Sequence, residues 1–297
     1  MAGSAVSEME VSPDWIGRYL HLLDVDDPRP DLETLGRLVR AHLSTVPFEN
    51  VTSILRRRAH LGQPVPPLDP ETLLAAWEQK RGGGLCYEVA DTFGRLLVAL
   101  GFRARVVLGF ITFLGSHHAI LVEVDGRRYL VDVGNGAPFF EPIPLDRPFK
   151  VRRAGLAYRF RPGDAAEMWL QDRWIDDAWA PFCRYELGPT DPSQRQAAFQ
   201  RHHTPGDGWV VGRLTLARCT ENEVYRLRDQ EFTRFIAEGK HTEQVTQLED
   251  RARLVAEVFG LPGLPIEEAV QALADLQTVS PHEPRGCTAA VAVSQPA

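Results

Sequence analysis

A chain of 297 residues and 33.2 kDa is long enough to bury a large core, and by length alone makes one large domain or two to three smaller ones. Hydrophobic residues at 44% and charged residues at 25% match ordinary globular proteins and exclude a fibre or a wholly disordered chain. The 40 acidic residues outnumber the 33 basic ones for a net charge of -7, which argues against a nucleic-acid or membrane-surface partner, since both want a basic face.

No apolar run approaches the ~20 residues that span a bilayer. The start "MAGSAVSEMEVSPDW" lacks the basic and apolar parts of a signal peptide, so the cytoplasm is the expected compartment. Cys86, Cys183, Cys219 and Cys287 are scattered without a C-x-x-C pair. They read as separate thiols, not as a disulfide framework or a zinc site.

In chain order, "SPDWIGRYLHLL" predicts a helix capped by Ser12 with Pro13 in its first position and Trp15, Ile16, Tyr19, Leu20 and Leu23 on one face. "DLETLGRLVRAHL" predicts a second. After the Pro-rich "GQPVPPLDP", Asp69 and Pro70 start a third, with Leu68 and Leu73 placed to pack as a staple, and it ends at Gly82. A fourth follows the glycines of "RGGGLCYEVA" and runs to Gly101, with Leu85, Val89, Phe93, Leu96, Leu97 and Leu100 on one face, which puts Cys86 in its first turn. Strands follow in "RARVVLGFI", "HHAILVEV" and "RRYLVDVG", the last two joined by Asp125-Gly126, a strong hairpin signal. Further strands are expected around "VVGRLTLARCT" and "EVYRLR", and a last helix pair in "TEQVTQLEDRARLVAEVFG" and "IEEAVQALADL". The tail from about Val279 reads as disordered.

A thiol reacts as its thiolate, and unpaired N–H groups at a helix start favour that anion. Cys86 is placed for this effect, and glycines such as Gly82 and Gly83 permit an unusual turn and close approach of a substrate to the backbone. The plain alternative is a flexible link into a buried helix with an inert cysteine. The hairpin bears on the choice through its register. A two-residue turn at Asp125-Gly126 sets Val124 opposite Arg127, Leu121 opposite Leu130 and Ala119 opposite Asp132. His117 then shares a face with Asp132 at a diagonal separation of ~7–8 Å, and His118 points away. A Cys–His–Asp set follows if the hairpin packs over the helix start; otherwise these are ordinary polar residues at strand ends. Ser116 lies too close along the chain to His117 to serve it as a nucleophile, and no G-x-S-x-G elbow is present. Adjacent histidines on a strand point to opposite faces, so His117, His118, His202 and His203 make a poor metal set, and no metal is expected.

"VPFEN" (Val46 to Asn50), "RGGGLCYE" (Arg81 to Glu88), the histidine opening "HHAILVEVDG" and "DVGNG" (Asp132 to Gly136), together with "DQEFTRF" and "FGLPGLP", resemble the arylamine N-acetyltransferases over about Pro13 to Leu276. Their motifs are I/V-P-F-E-N, R-G-G-x-C-x-E and D-V-G-F-G. The resemblance implies an α+β protein of three parts, distantly related to papain-like and transglutaminase folds. These are a helical bundle over 1–100, a β-barrel-like domain over 101–205 and an α/β lid over 206–278, with the tail 279–297 outside them. It implies Cys86 as nucleophile, His117 as base and Asp132 as orienting acid. The reaction implied is ping-pong: acetyl passes from acetyl-CoA to the cysteine and then to an arylamine or hydrazine. Glu49, Asn50, Arg81 and Glu88 suit buried charge-assisted hydrogen bonds that tie the bundle to the nucleophile helix. Phe48 and Asn135 fall at the acceptor pocket.

The chain departs from the family at Val89-Ala90, where C-x-E-x-N is usual, and at Asn135, where Phe is common. Two alternatives follow: an amide synthase of the same fold, which takes an acyl chain from a carrier protein onto an aromatic amine, and a thiol hydrolase. A binding module is disfavoured because all three catalytic positions are filled.

Overall fold

The computed structural model describes residues 11–204, 207 and 210–279. The first expected helix is α1 (Pro13–Leu23), whose cap Ser12 accepts from the Trp15 N–H at 3.1 Å. Next come α2 (Leu32–Thr45), capped by Asp31, the short strand β1 (Phe48–Glu49) and α3 (Val51–Ala59). The sequence reading passed over α3, whose apolar stripe is short and followed at once by Arg56, Arg57 and Arg58; burial of Val51 and Ile54 holds it. Then α4 (Pro70–Glu78), with Asp69 as cap, precedes α5 (Cys86–Ala99). Trp15, Tyr19, Leu35, Leu38, Leu73 and Phe93 form the bundle core, and the Trp15 indole N–H donates to the Pro70 carbonyl at 3.0 Å to lock α1 on α4.

An eight-stranded antiparallel, barrel-like sheet follows, built from β2 (Arg103–Phe110), β3 (Leu114–Val124), β4 (Arg127–Val131), β5 (Ile143–Pro144), β6 (Phe149–Arg153), β7 (Leu156–Pro162), β8 (Met168–Ile175) and β9 (Ala178–Glu186). Its order is β5-β4-β3-β2-β9-β8-β7-β6. Strands β6 to β9 were not anticipated, because charged residues interrupt their apolar alternation. The turn at Asp125-Gly126 gives Val124↔Arg127 and Leu121↔Leu130 as expected. The ladder stops at Ile120↔Val131, one pair short of the expected Ala119 and Asp132, so Asp132 begins the next loop on the face it would have shared. Strand β3 is buried on both sides: Ile120 and Val122 pack on the helices, and Ala119 and Leu121 face the barrel interior with Leu130, Phe139 and Phe160.

After α6 (Pro192–His203) comes a five-stranded sheet ordered β1-β10-β11-β12-β13, with β10 (Thr215–Cys219), β11 (Val224–Arg228), β12 (Glu231–Ile236) and β13 (Gly239–Gln244), and then α7 (Leu248–Glu257) and α8 (Ile266–Val279). Thr242 to Gln244, expected in a helix, complete β13 instead, and α7 begins only at Leu248. The expected tail beyond Val279 lies outside the described residues. β1 pairs with β10 as Phe48↔Ala217 and Glu49↔Leu216, so "VPFEN" is stitched into the C-terminal sheet. Asn50 completes the join: its amide donates to the Val210 and Arg213 carbonyls, and its oxygen accepts from the Thr215 N–H at 2.9 Å.

Buried histidines make this fold sensitive to acid. Burial lowers His42 to about 3, and His202 and His203 to about 4. A depressed folded pKa gives stability that is complete above the unfolded value of 6.5 and lost as pH falls below it. Each such histidine contributes a slope of about 1.4 kcal/mol per pH unit. Urea unfolding below pH 6.5 therefore shows a shallower pH dependence in His42→Leu than in the parent, by about one proton. Equal slopes would contradict a neutral buried His42.

Candidate active site

Three consecutive glycines bring the chain into α5. Gly82, Gly83 and Gly84 have φ of 72°, 138° and 85°, and a Cβ on Gly83 would sit 2.8 Å from Leu73 Cδ1. Side chains are excluded there by both backbone conformation and space. The helix then opens at Cys86, which is half-buried. Its first turn is fixed by the buried Glu88, whose carboxylate accepts from the Leu85 N–H at 2.9 Å and the Leu68 N–H at 2.8 Å and pairs with Arg56 at 2.7 Å. The expected buried network is thus present at Glu88, but Arg81 has no part in it. Arg81 is exposed and its stem lies against Gly263, because the glycine turn that follows carries the chain inward only after residue 81. Glu49 is buried against Gly82 and accepts from the Thr52 N–H and hydroxyl at 3.1 and 2.7 Å. Burial pushes its carboxyl up, against those hydrogen bonds.

His117 and Asp132 meet as the hairpin register requires, with His117 Nε2 2.8 Å from Asp132 Oδ2 and both residues buried. Nε2 thus faces the carboxylate, which fixes the orientation of the ring. Burial opposes charge on this histidine, but Asp132 and Cys86 outweigh it and raise it to about 10. The loop after Asp132 lies on the helix start, with a Cβ built on Gly134 falling 2.8 Å from Cys86 Cα. His118 turns to the opposite face, edge-on to Tyr87 at 5.1 Å, and burial first, then nearby cations, hold it neutral. Ser116 lies near the start of β3, and its hydroxyl accepts from the N–H groups of Ile111 and Thr112.

A row across the C-terminal sheet runs from this loop. Gly136 abuts Ala217 and Phe48, and Ala217 leads by register to Arg226, Thr233 and Thr242. Beyond Ala217 the row opens into a cleft of ≈ 370 Å³ lined by Arg226, Arg228, Lys240 and Glu231 among others.

A family model described as N-acetyltransferase matches residues 31–264. The arylamine N-acetyltransferase of Mycolicibacterium smegmatis is 33% identical over 228 residues, covering 72% of this chain and 79% of that one. The chain belongs to the arylamine N-acetyltransferase family. The solved enzyme of that name from Mycobacterium abscessus covers 90% of this chain and 99% of its own at a TM-score of 0.75 and 25% identity. The Mycobacterium marinum structure in complex with CoA shares the fold, at a TM-score of 0.75 and 22% identity over 89% of this chain and 99% of its own.

Where other arylamine N-acetyltransferases commonly carry Phe, Asn135 turns its amide to Asp132 and donates to Oδ2 at 3.0 Å. At the other departure, Val89 and Ala90 both join the helical core. Arg56 and Tyr185 also belong to the site, through Glu88 and Asp132, without a local sequence signal for either contact. Tyr185 donates to the same Asp132 oxygen at 2.8 Å and also lies 2.7 Å from Gln171. A phenol has one proton, so with the carboxylate taking it, Gln171 presents its NH₂ to Tyr185, which also gives that buried amide nitrogen a partner. No local pattern marks a tyrosine 53 residues from its acid; only the unread β9 held the signal.

Gly134→Ala tests the fit of loop on helix. The added methyl meets Cys86 backbone, which cannot rotate aside, so alkylation of Cys86 by iodoacetamide slows roughly tenfold or more while the variant stays folded. An unchanged rate would show that the loop does not hold Cys86 in place.

Proposed function

We propose that this protein moves acetyl from acetyl-CoA to the amino nitrogen of an arylamine or hydrazine by a ping-pong reaction through acetyl-Cys86. The observation that carries the reading is the histidine gripped on Nε2 by Asp132, with the loop after Asp132 seated on the helix start that carries Cys86. In this reading His117 holds the Cys86 proton and Asp132 fixes its tautomer and stabilises the imidazolium. The thiolate attacks the thioester carbonyl, and N–H groups of the first turn of α5 face the oxyanion. The C–S bond to CoA breaks and the departing thiolate takes the proton from His117. The amine then attacks acetyl-Cys86, His117 accepts its proton, and the N-acetyl product leaves as the cysteine thiolate re-forms.

The cleft suits the far end of the donor substrate: Arg226, Arg228 and Lys240 offer cations to its phosphates, and the row through Ala217 to Phe48 leads the acyl arm to Cys86. Half-buried Phe48, beside Gly136, gives the acceptor ring an apolar wall.

The test is to incubate the protein with acetyl-CoA and a panel of arylamines and hydrazines, following free CoA and the mass of Cys86. An acetyl adduct and amine-dependent CoA release are expected; neither appearing would refute the reading, and acylation only by a carrier-bound thioester would favour an amide synthase. Cys86→Ser abolishes turnover. His117→Gln lowers it by roughly 10²–10⁴-fold and His118→Gln by less than about tenfold. The reverse order of the two histidines would contradict the role given to the register.

A further inference from the structure

We propose that Asn135 is a positioning residue: by adding a third donor to Asp132 Oδ2 it moderates the hold of that carboxylate on His117 and lowers the pH at which the ring gives up its proton. The inference rests on the reading of Cys86 and His117 as a reacting pair. Oδ2 accepts from His117 at 2.8 Å, Tyr185 at 2.8 Å and Asn135 at 3.0 Å, whereas the buried Oδ1 has no hydrogen-bond partner. Donors that share one oxygen divide its negative charge, so each weakens the pull felt by the others.

Tyr185 is part of the barrel core, but Asn135 is half-buried on a loop pinned at both ends, by Gly134 on Cys86 and by Gly136 on Ala217. The loop therefore holds the amide in place without the amide having to build the fold. The groups that face Asp132 are His117 from β3, Tyr185 and Cys183 from β9, and Cys86 from α5 acting through the histidine. Burial first, and then Asp132, pushes Tyr185 and Cys183 far up, so both stay neutral at working pH. His117 is left to titrate.

Loss of the Asn135 donor concentrates charge on Asp132. His117 then keeps its proton to higher pH. The experiment is the midpoint of His117 deprotonation, read from ring ¹⁵N chemical shifts by NMR, in the full-length protein, Asn135→Leu and Asn135→Ala. Leucine keeps the volume and loses the donor; alanine loses both. Both midpoints are expected to move up alike, by about one pH unit. A parent-like midpoint for Asn135→Leu would mean that the residue only fills space and would overturn the proposal, as would two unshifted midpoints. The ring titration needs no acetyl donor, so raised midpoints in a protein that never forms an acetyl adduct would sink the acetyltransferase reading and leave this one standing.

Discussion

The hydrogen bond between His117 and Asp132 is the constraint on which the rest of the site depends. Two ionisable groups this deeply buried are costly to bring together, and such a pair is poor evidence for stability, because apolar residues of like volume would serve the fold as well or better. What it supplies is a fixed imidazole. Asp132 claims Nε2 and so fixes the ring's orientation, and the carboxylate keeps the ring charged against the burial that would discharge it. Surrounding structure serves this arrangement: Tyr185 and Asn135 steady the carboxylate oxygen, and the loop after Asp132 presses on the backbone of Cys86.

The thiol is positioned by a separate device. A buried carboxylate, Glu88, gathers the Leu85 and Leu68 N–H groups and Arg56 at the start of α5, so the glycine turn, the preceding loop and α3 all converge below Cys86. Breaking that group leaves an unpaired buried charge, which is far more damaging than never having had one. The C-terminal sheet is joined to the same place through Phe48, Glu49 and Asn50, whose partners lie on β10 and in the segment before it. One short segment thus binds the bundle to the C-terminal sheet beside the site.

Much of this was legible because it is local. Caps at Ser12, Asp31 and Asp69 and the Asp125-Gly126 turn are set by neighbours in sequence. A two-residue turn dictates register, and register selects His117 over His118. What stayed hidden depends on distant partners. Tyr185 reaches Asp132 from the far side of the barrel, and Arg56 reaches Glu88 from a helix too weakly patterned to be read. Arg81 misled for the same reason. A charge beside a motif suggests a local pair, but the glycine turn leaves Arg81 outside and a different arginine takes the role. Asn135 was placed at the acceptor pocket by resemblance to a phenylalanine; the hydrogen bond its amide makes to Asp132 is one that a ring cannot make, and nothing in the local pattern announces it.

The central claim is that a carboxylate keeps the buried His117 charged. Ring ¹⁵N chemical shifts of His117, followed by NMR from neutral to alkaline pH, test it most directly. The account predicts an imidazolium at neutral pH that loses its proton only near pH 10. A ring already neutral there, with a midpoint at or below 6.5, would contradict it.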